Sequence, residues 1–298
     1  MFPIVPANSA AESGNQEGIF GFGHDGSNYA GMTNLVSDAG VVASDVAAVG
    51  TARSGPAACE YGGDKGIFGY GHGGSFTAVT NLVSNVGVVS SDVAGVGTGR
   101  RYLAACGYGE DKGIFGYGAP GAYTAVTNLV SNAGVVATDV AGVGTARGYL
   151  AACEYGSDKG IFGYGEIAPS TAITNLVSNV GVVSSDVAGV GTARNSLAAC
   201  SYGGDKGIFG FGNSGSYVSM TNLVSNAGVV ATDVACVGTV RFRSAACEYG
   251  GDKGIFGYGH DGSIYVSMTN LVSNAGVVGS DVTGVGTARN NIAACSFN

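Results

Sequence analysis

The chain is predicted to be all-β: a closed six-bladed β-propeller of four-stranded blades, the first blade completed by the C-terminal strand. Three observations predict this. The arginine of "GTAR" or its variants recurs at Arg53, Arg100, Arg147, Arg194, Arg241 and Arg289, with gaps of 47, 47, 47, 47 and 48 residues. Each period holds four strand-like runs separated by Gly, Asn and Asp. The two ends of the repeat region are complementary fragments of one such period.

The unit from Asn195 to Arg241 gives the elements in order. "SLAACSYG" is the first strand, closed by the turn "GDKG". "GIFGFG" is the second, followed by a short loop that varies between copies. "SYVSMTNLVS" is the third and "GVVATDVACVG" the fourth, joined at "NAG". The runs are rich in Val, Ile, Phe, Tyr and Thr, which suit a pleated, half-buried surface. No stretch carries a sustained helical period with caps.

The phenylalanine of "GIFG" marks six copies: Phe20, Phe68, Phe115, Phe162, Phe209 and Phe256. The first copy starts at "EGIFGFG", without a first strand, and "NNIAACSFN" at the C-terminus is a first strand with nothing after it. A solenoid, the rival architecture, needs distinct capping repeats at its ends. Complementary fragments instead predict a ring, which also removes exposed strand edges. The expected division is therefore an arm or lead-in over 1–16 and one propeller domain over 17–298.

Composition narrows the function classes. Hydrophobic residues make up 45%, enough for a core, and the 55 glycines are periodic rather than low-complexity. The net charge of −8, with 13 Lys and Arg, argues against nucleic acid and anionic membranes, which need clustered cations. No apolar run approaches the ~20 residues of a membrane span, and "MFPIVPANSAAESGNQ" does not read as a signal peptide. Six of the seven cysteines fall at one repeat position (Cys59, Cys106, Cys153, Cys200, Cys247, Cys295), with Cys236 extra. That spacing fits small buried thiols rather than a metal pattern.

The layout "AR-x-x-LAAC…GIFGYG…AVTNLV" resembles a Kelch repeat, with an Arg before the innermost strand and a variable loop before the third. It departs from that family in ending the second strand Gly-aromatic-Gly and in having no Trp. The "TNLVSN-x-GVV-x-(S/T)DV-x-GVGTAR" units also resemble propeller repeats in virion proteins of tailed bacteriophages. This resemblance implies a virion location and a structural or binding role in a tail, fibre or head surface. Other virion proteins or a host-surface glycan would be the partners, with oligomeric assembly compatible.

Positions identical in all copies show what every blade needs. The repeat arginines are expected to pair with the repeat aspartates Asp45, Asp92, Asp139, Asp186, Asp233 and Asp281; an anion-binding ring is the alternative. The asparagine of "TNLV" is expected to bond neighbouring backbone. Copies differ in the loop after the second strand, and variation on a rigid frame is where recognition is usually placed. The candidate residues there are His24, Asp25, Tyr29, His72, Phe76, Tyr123, Glu166, Asn213, Tyr217, His260, Asp261 and Tyr265. The three histidines sit at equivalent places in adjacent blades, too far apart for a metal site. No nucleophile elbow, phosphate loop or triad pattern is present, so neither catalysis nor a cofactor is expected. The alternative reading is a soluble multivalent lectin that uses the loop aromatics. An enzyme of the sialidase or galactose-oxidase type is a weaker third.

Overall fold

The structure is a computed structural model that describes residues 17–235 and 237–297. The expected arm, 1–16, and Cys236 lie outside the described residues. Among the described residues there is no helix, and eighteen strands form six three-stranded antiparallel sheets. The chain opens with β1 (Gly18–His24) and β2 (Tyr29–Val36). Five triplets follow: β3 (Ala57–Tyr61), β4 (Lys65–His72) and β5 (Phe76–Val83); β6 (Ala104–Tyr108), β7 (Lys112–Gly116) and β8 (Thr127–Val130); β9 (Ala151–Tyr155), β10 (Lys159–Gly163) and β11 (Thr174–Val177); β12 (Ala198–Tyr202), β13 (Lys206–Gly210) and β14 (Thr221–Val224); β15 (Ala245–Tyr249), β16 (Lys253–His260) and β17 (Tyr265–Val272). The last strand, β18 (Ala293–Ser296), pairs with β1, so the C-terminal segment supplies the missing strand of the first sheet.

One register serves every sheet. Cys59 faces Ile67 and Ile67 faces Leu82; in the first sheet Cys295 faces Ile19 and Ile19 faces Leu35. The middle strand is covered on both faces, so Ile and Phe stand side by side and both are fully buried, as in Ile67 and Phe68. Its glycines set the distance between sheets. A Cβ on Gly66 would lie 2.6 Å from Cys295 Sγ, and one on Gly69 would lie 2.7 Å from the Phe115 ring. The innermost strands succeed one another around the molecule: β3 packs against β6, β6 against β9, β9 against β12, β12 against β15, β15 against β18 and β18 against β3.

The fourth expected run does not form a strand. It touches the third strand at two isolated bridges per unit, for example Val36–Val42 and Thr33–Val46. Three steps along β2 face four along the outer run, which is one residue too many for a continuous ladder. The Asn34 side chain fills the gap, donating to the Ala43 carbonyl at 3.0 Å and to Asp45 Oδ1 at 2.8 Å.

The repeat arginines are fully buried and join sheets. Arg147 Nε donates to the Tyr164 carbonyl (2.8 Å), Nη1 to the Thr145 carbonyl (3.1 Å) and Nη2 to Asn175 Oδ1 (2.7 Å). Its guanidinium lies 4.3 Å over the Tyr117 ring of the preceding sheet. The expected Arg–Asp pairing is therefore indirect. Asn175 bridges the two, donating to Asp186 at 2.9 Å, and Asp186 accepts the Thr145 hydroxyl at 2.6 Å. Direct approach is no closer than 3.8–3.9 Å, in Arg194–Asp233, Arg241–Asp281 and Arg289–Asp45. An amide suits the buried place better because it satisfies the guanidinium without burying a second charge. Each aromatic of the Gly-aromatic-Gly motif takes a left-handed conformation (Phe22 φ 63°, Tyr117 φ 64°, Tyr258 φ 61°); Phe22 thereby offers its carbonyl to Arg289 and its ring to Arg53, and Tyr117 its carbonyl to Arg100 and its ring to Arg147. The strain, of order 1–2 kcal/mol per residue, is repeated in six places and offset by these contacts.

Candidate binding face

Each first strand begins four residues after a repeat arginine, and the three intervening residues form one end of the molecule. Gly55, Tyr102, Tyr149, Ser196, Arg243 and Asn291 all take positive φ, between 48° and 64°. Their backbones make a circuit. Gly55 N–H donates to the Asn291 carbonyl (2.8 Å), Asn291 to Arg243 (3.0 Å), Arg243 to Ser196 (2.8 Å), Ser196 to Tyr149 (2.8 Å), Tyr149 to Tyr102 (2.9 Å) and Tyr102 to Gly55 (3.1 Å). The backbone repeats six times while the six side chains range from hydrogen to guanidinium.

The candidate loops stand beside this annulus. The residue before each annular one bridges to the start of a loop: Ser54 to His72, Arg101 to Ala119, Gly148 to Glu166, Asn195 to Asn213, Phe242 to His260 and Asn290 to His24. Sequence reasoning found the loops and missed the annulus. The available signal was that "SGP", "RYL", "GYL", "NSL", "FRS" and "NNI" differ between segments that are otherwise nearly identical.

The structure brings most candidates together and uses others locally. Tyr29 and Phe76 are exposed (38% and 39%). Tyr29 bonds His72 Nδ1 at 3.0 Å, and Tyr123 donates to Glu166 Oε1 at 2.9 Å. Burial and that carboxylate push the Tyr123 hydroxyl up to about 12. Burial, with the Arg101 charge, lowers the His72 pKa. Tyr217 stacks on Phe242 at 4.3 Å, and His260 meets Tyr265 at 5.0 Å. Asp25 and Asp261 instead close their own turns, each accepting two backbone N–H groups, which draw their pKa values down. His24 and His260 do likewise through Nδ1, accepting from Gly26 and Gly262. Asn213 also caps its turn, accepting from Gly215 N–H.

Ring contacts link loops and annulus into one belt. From Tyr265 it runs through His24, Tyr29, His72 and Phe76 at centroid separations of 5.2–6.5 Å. Arg101 lies 5.6 Å from Phe76 and 4.5 Å over Tyr102, which stacks on Tyr149 at 3.9 Å. Arg243, 5.7 Å from Tyr149 and 5.1 Å from Phe242, carries the belt to His260 and back to Tyr265.

The opposite end of the inner strands has a different chemistry. The six repeat cysteines are free, buried, and alternate in space with the residues that follow them: Glu60, Gly107, Glu154, Ser201, Glu248 and Ser296. Glutamate and a small residue take turns. Glu154 lies over Gly107, where a Cβ would sit 1.5 Å from its Oε1, and Ser296 donates to Glu60. Burial raises the glutamate pKa values, that of Glu248 to about 8, and repulsion from Glu60 adds to it at Glu154 and Glu248. Burial likewise pushes the thiols well up, which keeps them protonated and unreactive. Among the described residues no group of three or more His, Cys, Asp and Glu side chains is placed to hold a metal ion.

No protein-family model matches the chain, and no curated protein sequence matches it.

Proposed function

We propose that the six sheets close into a six-bladed propeller, each blade a three-stranded sheet edged by the bridged outer run, and that it binds a partner without catalysis. The binding surface is the end that carries the annulus and the loops after the second strands. Closure is supported by the circuit of backbone hydrogen bonds and by the succession of inner strands that returns from β18 to β3. The observation that carries the binding reading is the contrast at this end between a six-fold backbone and six unlike side chains. Selection for packing alone has no use for such differences on a frame this uniform. The acidic loop groups Asp25, Asp261 and Glu166 are already engaged, so aromatic surface is what the face chiefly offers.

The partner we favour is a glycan, since aromatic rings beside amides and hydroxyls suit sugar faces and hydroxyl groups. The likeness of the repeats to those of tailed-phage virion proteins supports a place on a virion surface, contacting a host glycan. The five loop aromatics have unlike neighbours, which favours one composite face over the equal sites of a multivalent lectin. A glycan array followed by titration tests both points. Saturable binding at one site per chain, weakened by Tyr123→Ala and Tyr217→Ala, is expected. Binding unchanged in both variants, or no glycan bound, overturns the reading; several equal sites per chain would move it to the lectin.

A further inference from the structure

The annulus surrounds a small cavity of about 70 Å³ that is not symmetric. Tyr102 and Tyr149 fill one side of the mouth, stacked on each other and flanked by Arg101 and Arg243. Its polar lining is Ser196, Arg243, Ser244 and Asn291, set beside Pro56 and an apolar layer of Leu103, Leu150, Leu197 and Ile292. Two donors there are buried without a hydrogen-bond partner among the described residues, Arg243 Nε and Ser244 Oγ, and Ser244 is 7% exposed. A buried unpaired polar group costs ~1–3 kcal/mol, and two adjacent ones lining a cavity point to an acceptor that enters it.

Charge placement points the same way. The chain has eight arginines and five lysines. Six arginines are the buried links between sheets, and all five lysines open the second strands, at the far end of the molecule. Arg101 and Arg243 are the two that remain in a chain of net charge −8; Arg243 lines this cavity and Arg101 lies over Tyr102 beside it. The Arg243 backbone is held by the hydrogen-bonded circuit, so little order has to be gained on binding.

We propose that this cavity binds the carboxylate of an acidic sugar. One carboxylate oxygen accepts from Arg243 and the other from the Ser244 hydroxyl, while Asn291 and Ser196 receive the sugar hydroxyls. A carboxylate answers both unpaired donors at once, and charge-assisted bonds of this type are about twice as strong as neutral ones. The assignment rests on the glycan-binding reading above and narrows it to a substrate class.

Calorimetric titration with glucuronate, glucose, the methyl ester of glucuronic acid and acetate tests it. Glucuronate should bind at least tenfold more tightly than the other three. Arg243→Gln and Ser244→Ala should each weaken it fivefold or more with the circular-dichroism spectrum unchanged; the serine variant keeps the test valid if the arginine variant misfolds. Glucuronate binding no tighter than glucose, or unchanged in Ser244→Ala, overturns the proposal, and acetate binding as tightly overturns the sugar assignment. Loss of glucuronate specificity while neutral glycans still bind through Tyr123 and Tyr217 would refute this pocket alone. Arg243-dependent glucuronate binding in Tyr123→Ala and Tyr217→Ala variants that bind all glycans normally would refute the wider face alone.

Discussion

Glu60, Glu154 and Glu248 should make this protein less stable as pH rises from 5 to 8, the opposite of the usual behaviour of surface carboxylates. In the unfolded chain a glutamate loses its proton near 4.5, whereas Glu248 in the folded chain holds it to about 8. Between those values the native state binds more protons than the unfolded one, so the free energy of unfolding falls with rising pH. At ~1.36 kcal/mol per pKa unit, the Glu248 shift alone sets a ceiling of about 5 kcal/mol. Glu60 and Glu154 are displaced in the same direction and add to it. Other groups leave the window clear or oppose weakly. The six repeat aspartates have lowered pKa values, since hydrogen bonds from Thr and Asn outweigh their burial, so they act below pH 4. The cysteines act above about 8.5. His72, lowered by burial, works against the trend as a single partly exposed group. The assay is urea unfolding by circular dichroism at pH 5, 6, 7 and 8, on the wild type and on Glu60→Gln/Glu154→Gln/Glu248→Gln. The wild type should lose several kcal/mol across the range and the triple variant should be nearly flat. A wild type whose stability is level or rising, or a triple variant with the same slope, would refute the reasoning.

Three further outcomes follow from the contacts. Arg147→Met should cost about 3–5 kcal/mol by stranding the Tyr164 and Thr145 carbonyls and Asn175 Oδ1; Arg147→Lys should also destabilise, since one ammonium cannot span the three acceptors, and denaturant midpoints read both. Gly107→Ala should cost about 1–3 kcal/mol by displacing the Glu154 carboxyl, and adding Glu154→Gly should recover most of it in a double-mutant cycle. The six repeat thiols should resist alkylation in the native protein at pH 8 and react fully in urea, as read by peptide mapping; rapid native labelling of Cys106 or Cys200 would contradict their burial.

Much of the architecture was legible because it is periodic. The arginine spacing, the three inner runs and the orphan C-terminal strand each had a sequence signature, and each stands in the structure as β-sheet with one register. The outer run was less legible. Its valines read as a strand, but a side-chain amide from the neighbouring strand competes for its backbone, and that contact has no signature in a hydrophobicity pattern. The annulus was hidden for another reason. Its hydrogen bonds join residues about one repeat apart, and its left-handed backbone falls on Tyr, Ser, Arg and Asn in five copies and on a glycine, which advertises such a conformation, only at Gly55. The arginines were correctly read as structural, yet their carboxylate partners proved to lie one asparagine away, a distance that charge balance cannot measure.

The alternation of Glu60, Gly107, Glu154, Ser201, Glu248 and Ser296 bears on how such a chain can change in length. Each glutamate has a small neighbour, Gly107, Ser201 or Ser296, so the heritable module is a pair of periods, about 94 residues, rather than one. Duplicating or deleting a single period would set two acids against each other or leave two gaps side by side; a change by two keeps the alternation intact. Parity is thus written into side-chain volume, and growth by doubling is the path of least resistance for this gene.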